Sequence, residues 1–180
     1  MSKRLIFLLG GARSGKSRYA ETWGRERGQN VLFVATAQAL DDEMQAKIAH
    51  HQSQRPAYWR TLEAPLNVGE AIGQMLSEHD TVIVDCLTLL ASNVLMSLPE
   101  DCSQEEANQR ILDEIESLLR ACDASDATWL IISNEVGMGV VPPTRLGRLF
   151  RDALGTANQR VAQAADEVLL FVAGLPWKLK

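Results

Sequence analysis

The sequence predicts an α/β protein: a mostly parallel sheet with helices on both faces. Three observations point there. Short apolar runs alternate with stretches of helical patterning along the chain, as in strands joined by crossover helices. Between the first run and the first helical stretch stands Gly10-Gly11-Ala12-Arg13-Ser14-Gly15-Lys16-Ser17, a complete G-x-x-x-x-G-K-[ST] phosphate loop (P-loop). The fourth run, Thr81-Val82-Ile83-Val84-Asp85, ends on a carboxylate, the form of a Walker B strand.

The elements follow in order. Leu5-Ile6-Phe7-Leu8-Leu9 is continuously apolar, so Arg4–Leu9 is the first strand, buried on both faces. Lys16–Arg27 is the helix that the phosphate loop opens. Val31–Thr36 is the second strand. Asp42–His51 is a helix, with Met44, Ile48 and His51 at i, i+4 and i+7 on one stripe. Ala57–Leu62 is a strand and Leu66–Glu78 a helix. Thr81–Cys86 is the acid-ended strand, and Leu87–Leu98 the helix after it. Gln104–Cys122 is a long helix whose first turn carries Glu105 and Glu106, matched to the macrodipole. Its later acids Asp113, Glu114 and Glu116 read as exposed surface. Thr128–Ser133 is a strand, Arg145–Asp166 a helix, Glu167–Val172 a strand and Trp177–Leu179 a short last one. Ser53–Pro56, Pro99–Ser103 and Gly137–Thr144 are the expected loops, and Asp123–Asp126 is a helix-to-strand turn. There is no internal repeat or low-complexity segment, and residues 1–180 are expected to form one domain.

Composition narrows the function classes. Hydrophobic residues make up 46% and charged residues 23%, ordinary for a soluble globular chain. A net charge of −5 argues against a broad nucleic-acid-binding face and gives no reason to invoke an anionic membrane. Cys86, Cys102 and Cys122 show no C-x-x-C spacing. They form neither a disulfide framework nor a zinc site, and fit small core residues in a reducing cytoplasm. Lys3-Arg4 before the first apolar run imitates a leader, but the run is too short and enters the phosphate loop. No segment approaches transmembrane length.

The phosphate loop carries the chemistry. Its glycines let successive N–H groups turn toward a phosphate, and the helix N-terminus adds partial positive charge. Lys16 is expected to lie exposed to the β- and γ-phosphates, its removal costing charge and no packing. The Ser17 hydroxyl and the Asp85 carboxylate are the expected Mg²⁺ ligands. In an open parallel sheet ligands bind at the carboxyl ends of the strands. Five segments converge there: the phosphate loop, Ala35-Thr36-Ala37, Glu63, Asp85 and Asn134-Glu135.

Other candidates stay open on residue pattern alone. His50 and His51 close their helix. Either they offer the helix C-terminus positive charge, or His51 is an imidazole nucleophile toward phosphorus. Arg55 is a phosphate clamp or a surface charge. Glu135, in a glycine-rich segment, is a base, an outer ligand or part of a structural turn. Arg145, Arg148 and Arg151 recur at i, i+3 and i+6, facing a phosphate, a neighbouring subunit or, most simply, solvent as a basic face. His79 reads as solvated. No N-K-x-D motif is present, which counts against a switch GTPase.

Several local patterns then coincide in one order. They are the phosphate loop, Ala35-Thr36-Ala37, Leu40-Asp41-Asp42-Glu43-Met44, His50-His51 with Arg55-Pro56, and Trp59-Arg60-Thr61. Asn134-Glu135-Val136-Gly137-Met138-Gly139, Asn158-Gln159-Arg160 and Ala165-Asp166-Glu167 follow. With them the chain resembles the bifunctional adenosylcobinamide kinase/adenosylcobinamide-phosphate guanylyltransferases of cobalamin biosynthesis, over essentially its whole length. The resemblance implies a RecA-like P-loop NTPase fold assembled as a homotrimer. It implies phosphorylation of the aminopropanol hydroxyl of adenosylcobinamide by ATP or GTP. GMP then passes from GTP, through a guanylylated histidine, to the cobinamide phosphate. That histidine corresponds to His51. Nucleotide contacts carry over to Gly10, Gly11, Ala12, Arg13, Ser14, Gly15, Lys16, Ser17, Ala35, Thr36, Ala37, Gln52, Ser53, Gln54, Arg55, Glu63 and Asp85. Position 37 is Ala where some members have Ser, and position 85 is Asp where some have Glu. The competing expectations are a simple small-molecule kinase, with no covalent nucleotide, and a nucleotide-binding assembly module with no transferase activity.

Overall fold

The computed structural model describes residues 3–38 and 55–180. The expected helix Asp42–His51, with His50, His51, Gln52, Ser53 and Gln54, lies outside the described residues. Among the described residues the strands are β1 (Arg4–Gly10), β2 (Val31–Ala35), β3 (Arg60–Glu63), β4 (Thr81–Asp85), β5 (Thr128–Asn134), β6 (Glu167–Val172) and β7 (Leu175–Lys178). The helices are α1 (Lys16–Arg27), α2 (Val68–Gly73), α3 (Leu87–Met96), α4 (Gln104–Asp123) and α5 (Arg145–Ala164).

The strands form one sheet in the order β3-β2-β4-β5-β1-β6-β7. All pairings are parallel except β6 with β7. Side chains alternate between two cores. Leu5, Phe7, Leu32, Val34, Val82, Val84, Trp129 and Ile131 face α2 to α5. Ile6, Leu8, Phe33, Ile83, Leu130 and Ile132 face α1 and Trp59. Each such side chain, fully buried, stabilises the fold by about 1.5–3 kcal/mol relative to exposure. Trp129 keeps its indole N–H satisfied by donating to Ser125 Oγ at 2.8 Å.

Local chemistry sets the element ends. Ser103 Oγ accepts from Glu106 N at 3.1 Å, and the Glu106 carboxylate accepts from Ser103 N at 2.7 Å, a capping box that starts α4. Thr144 Oγ1 accepts from Gly147 N at 3.1 Å and starts α5.

Four expectations shift. The helix expected over Leu66–Glu78 is split into α2 and a 3-10 turn at Leu76–Glu78. Met75 N donates to Ile72 O at 2.8 Å, an i to i−3 bond that tightens the chain just past Gly73. The third strand begins at Arg60, because a turn closed by Trp59 N on Pro56 O at 3.0 Å occupies the start of the expected run. Trp59 instead seals α1: a Cβ at Gly24 would stand 2.9 Å from its ring. The last strand is Leu175–Lys178, folded back antiparallel through Ala173 and Gly174, both at positive φ. Glu114 and Glu116 are working side chains. Glu114 accepts from Asn67 N at 2.9 Å, capping α2 from outside, and Glu116 holds Arg160.

Candidate active site

The phosphate loop runs from the end of β1 into α1. Gly10 has φ +151°, and a Cβ there would lie 2.5 Å from the Phe171 carbonyl oxygen on β6. Gly15, at φ +101°, packs against Gly174 of the β6–β7 turn, whose N–H donates to Ser14 O at 2.9 Å. Both positions need glycine.

Lys16 is not exposed, contrary to the sequence expectation. It is 6% accessible, and its ammonium turns back into its own loop. Nζ donates to Gly10 O at 2.8 Å, to Gly11 O at 2.7 Å and to Ser14 Oγ at 3.3 Å. Burial lowers its pKa, opposed by Cys86 and Asp85 nearby. The loop therefore shapes itself around its own cation.

Asp85 closes β4 level with the neighbouring strand. Ala35 pairs with Asp85 on one side and with Glu63 on the other. A cis peptide links Asp85 to Cys86. Glu63 is exposed, while Ala37 and Asp85 are half-buried. Thr36, expected at the nucleotide, is 0% accessible, and its hydroxyl bonds the backbone of Cys86. The Cys86 thiol is raised to about 11 by burial first and the Asp85 charge second, so it is neutral and no nucleophile near pH 7.

Arg55 lies flat on Phe33 of β2, its guanidinium carbon 3.6 Å from the ring centroid. Its Nε and Nη1 are enclosed and have no hydrogen-bond partner among the described residues. Burial lowers its pKa against the pull of Asp85, Glu21 and Glu63. A half-buried guanidinium whose Nε and Nη1 are enclosed without a partner among the described residues, beside carboxylates, is suited to an arriving anion.

The remaining candidates make local contacts in the structure. Glu135 N donates to Gly10 O at 3.1 Å, and the Glu135 carboxylate accepts from Gly137 N at 2.6 Å, closing its own loop. Arg145 is exposed and also donates to the carbonyls of Glu100, Asp101 and Cys102. Arg148 donates to those of Pro142 and Pro143, and Arg151 pairs with Asp152. His79 is half-buried, its Nδ1 2.9 Å from Met75 O, rather than solvated.

Sequence reading missed two buried asparagines. Asn93 Nδ2 donates to Thr36 O at 2.8 Å and Pro65 O at 3.0 Å, and Asn158 Nδ2 donates to Asn134 O at 3.0 Å. The available signal was an amide inside an apolar helical stripe, which needs a partner when buried.

A divalent cation would find hard oxygen donors here in Ser17 and Asp85, with phosphate oxygens completing the shell. No group of three or more His, Cys, Asp or Glu side chains is gathered for a metal among the described residues. The chemistry of these two oxygen donors fits a hard divalent cation whose shell a nucleotide's phosphates would complete.

The family model described as cobinamide kinase / cobinamide phosphate guanyltransferase matches residues 6–179. The chain belongs to this family. It is 45% identical over 181 aligned positions to the bifunctional adenosylcobalamin biosynthesis protein CobU of Salmonella typhimurium, covering 98% of this chain and 99% of that one. It is 42% identical to the CobU protein of Escherichia coli, with the same coverage. The bifunctional CobP protein of Pseudomonas aeruginosa is 42% identical over 173 positions, covering 96% of this chain and 95% of that one. The cobinamide kinase/guanyltransferase match takes in the phosphate loop, Arg55, Glu63, Asp85 and Asn134, and the segment carrying His51. The architecture agrees with it: a mostly parallel P-loop sheet flanked by helices.

Proposed function

We propose that this chain catalyses both reactions at one site. It first phosphorylates the aminopropanol hydroxyl of adenosylcobinamide with ATP or GTP. It then moves GMP from GTP through His51 to the cobinamide phosphate, giving adenosylcobinamide-GDP. The observation that carries the proposal is the self-bound Lys16 loop beside Asp85 and the unanswered Arg55, in a chain of a family described by two activities. A simple kinase accounts for only one of them.

In the kinase step Lys16 leaves its loop carbonyls for the β- and γ-phosphate oxygens. The substrate hydroxyl oxygen attacks the γ-phosphorus, and the bridging oxygen leaves with the diphosphate. In the second reaction an imidazole nitrogen of His51 attacks the α-phosphorus of GTP, forming a P–N bond as pyrophosphate leaves. A phosphate oxygen of the cobinamide phosphate then displaces the imidazole. Neutral imidazole, present near pH 7, is the form that attacks. Lys16 and Arg55 stabilise charge on the transferring groups. Gln52, Ser53 and Gln54, with the loop amides and the backbone of Ala35 and Ala37, complete the nucleotide contacts. Mg²⁺, held by Ser17 and Asp85 with the phosphates, neutralises charge when bound.

One domain spanning 1–180 would carry all of this. No described helix is long and apolar enough to cross a membrane. A cytoplasmic homotrimer is the expected form, supported by exposed Val172, Leu175, Trp177 and Leu179 around the edge strand β7. Light scattering at working concentration tests the assembly.

The catalytic proposal is tested by intact mass and peptide mapping after incubation with GTP and Mg²⁺. Wild type and His50→Ala should gain one GMP at His51, labile in acid and stable in alkali. His51→Ala should gain none and lose guanylyl transfer while keeping phosphorylation of the hydroxyl. GMP at another residue, or normal transfer by His51→Ala, would overturn the covalent route.

A further inference from the structure

The end of β4 is held from the side by a residue with no exposure of its own. Thr36 follows β2 directly and is 0% accessible. Its N–H donates to Asp85 O at 3.1 Å, extending the β2–β4 ladder by one bond. Its hydroxyl donates to Cys86 O at 2.7 Å and accepts from Cys86 N at 2.9 Å. One side chain thus answers both backbone groups of the residue after Asp85. Thr36 is fixed in turn from α3, where Asn93 Nδ2 donates to Thr36 O at 2.8 Å and to Pro65 O at 3.0 Å. Asn93 is itself buried. The chain of contacts runs from α3 through Thr36 to the backbone on both sides of the Asp85–Cys86 bond.

A carboxylate on a short side chain reaches only where its backbone aims it. At Asp85 little of that reach is adjustable, because one methylene separates the carboxyl from Cα. The backbone there has no partner from β5 beyond Asp85, whose Cα pairs with Ile132 as the last register position. The Cys86 carbonyl is held along α3 by Leu90 N at 3.1 Å, and Thr36 adds a lateral hold on both Cys86 backbone groups.

We propose that Thr36 is a positioning residue that aims the Asp85 carboxylate at the nucleotide-bound cation, acting through the Cys86 backbone rather than by touching nucleotide. The inference rests on the reading of Asp85 as the cation-holding acid. It separates Thr36 from its neighbours Ala35 and Ala37, whose position beside the loop leaves backbone contacts to nucleotide open.

The test measures GTP affinity by calorimetry on the full chain, in EDTA and across a Mg²⁺ titration. The variants are Asp85→Asn, Thr36→Val and Thr36→Ser. Valine keeps the volume and removes the hydroxyl, and serine restores it. Thr36→Val should leave affinity in EDTA within about twofold of wild type. It should raise the Mg²⁺ concentration for half-maximal enhancement by about tenfold, the scale of one lost buried hydrogen-bonding group. Thr36→Ser should return that value to within about twofold. If the valine variant does not fold, Thr36→Cys takes its place, since a thiol is a weak donor and acceptor. Equal losses with and without Mg²⁺ would make Thr36 a nucleotide contact and overturn the inference. An unchanged Mg²⁺ titration in Thr36→Val, alongside a shifted one in Asp85→Asn, would overturn it while sparing the Asp85 reading. Titrations identical in wild type and Asp85→Asn would remove both.

Discussion

Replacing Lys16 by alanine should separate catalysis from stability by a wide margin, though not without structural cost. Lys16 Nζ makes three hydrogen bonds, at 2.8, 2.7 and 3.3 Å, to oxygens of its own loop. Bonds from a charged donor are each worth about 1.5–3 kcal/mol. Removing the ammonium also removes the desolvation that lowers its pKa. Water can reach the exposed Gly11 side of the loop to replace part of what is lost. The net destabilisation is then about 2 kcal/mol, which for a chain of this length lowers Tm by roughly 4–8 °C. The catalytic loss is larger. A preorganised charge at a transferring phosphate typically carries about 10²–10³ in rate. The assay pairs a thermal melt followed by circular dichroism with phosphoryl transfer measured at saturating nucleotide. The expected result is a folded protein, modestly less stable, with both transfers reduced at least a hundredfold or so. Near-normal phosphorylation by a folded Lys16→Ala protein would refute the phosphate-loop assignment. An undiminished Tm would refute the view that the lysine organises its own loop.

Three further outcomes can be measured. Gly10→Ala places a Cβ 2.5 Å from the Phe171 carbonyl oxygen, so β1 and β6 must part; nucleotide affinity and Tm should fall together, and unchanged values for both would contradict the close approach. Ser103→Ala removes one half of the α4 capping box and should cost about 1 kcal/mol in urea unfolding with nucleotide binding intact. Cys86 and Cys122 are both raised to about 11 from 9.0, chiefly by burial. Both thiols are neutral, folded or unfolded, below pH 9. Between about 9 and 11 only the unfolded chain ionises, so stability should fall as pH rises through that window, and thiol reagents at pH 8 should spare the native protein. A flat stability profile from pH 8.5 to 11 would contradict this.

The strands and helices that bury a continuous apolar face were legible in sequence. Arg4–Leu9 and Lys16–Arg27 needed only an apolar run, a glycine loop and a helical pattern, and the observed elements match within a residue. The edges were harder. β3 is mostly exposed and takes its start from a Pro56–Trp59 turn that buries Trp59, a tertiary event with no period to reveal it. The helix expected over Leu66–Glu78 read as continuous because single-sequence patterning passes through Gly73 without marking the tighter turn behind it. At the site, the residue types in the phosphate loop and at Asp85 carry the expectation of phosphate and cation binding, and the structure places both at the carboxyl end of the sheet. Thr36 stands in sequence only as a nucleotide contact, because nothing in the pattern shows that its hydroxyl is buried on the Cys86 backbone. Lys16 was read as reaching outward because the motif carries a role and not a rotamer. Arg145 and Arg148 lie on the exposed face that their helical spacing marks, but spacing does not show which loop carbonyls lie within their reach.

The place of β1 in the sheet has a consequence for the order in which this molecule becomes competent. The strand that delivers the phosphate loop lies between β5 and β6, and its loop is held at Gly10 and Ser14 by Phe171 and Gly174. All of these partners are encoded more than a hundred residues downstream. A chain emerging from the ribosome thus displays its phosphate loop first and can shape it last. Contacts of such long sequence separation form slowly, because the closure entropy comes before the packing that offsets it. Until β6 and its turn arrive, Lys16 has no fixed cage to sit in. The final shape of the phosphate loop is then a property of the finished sheet.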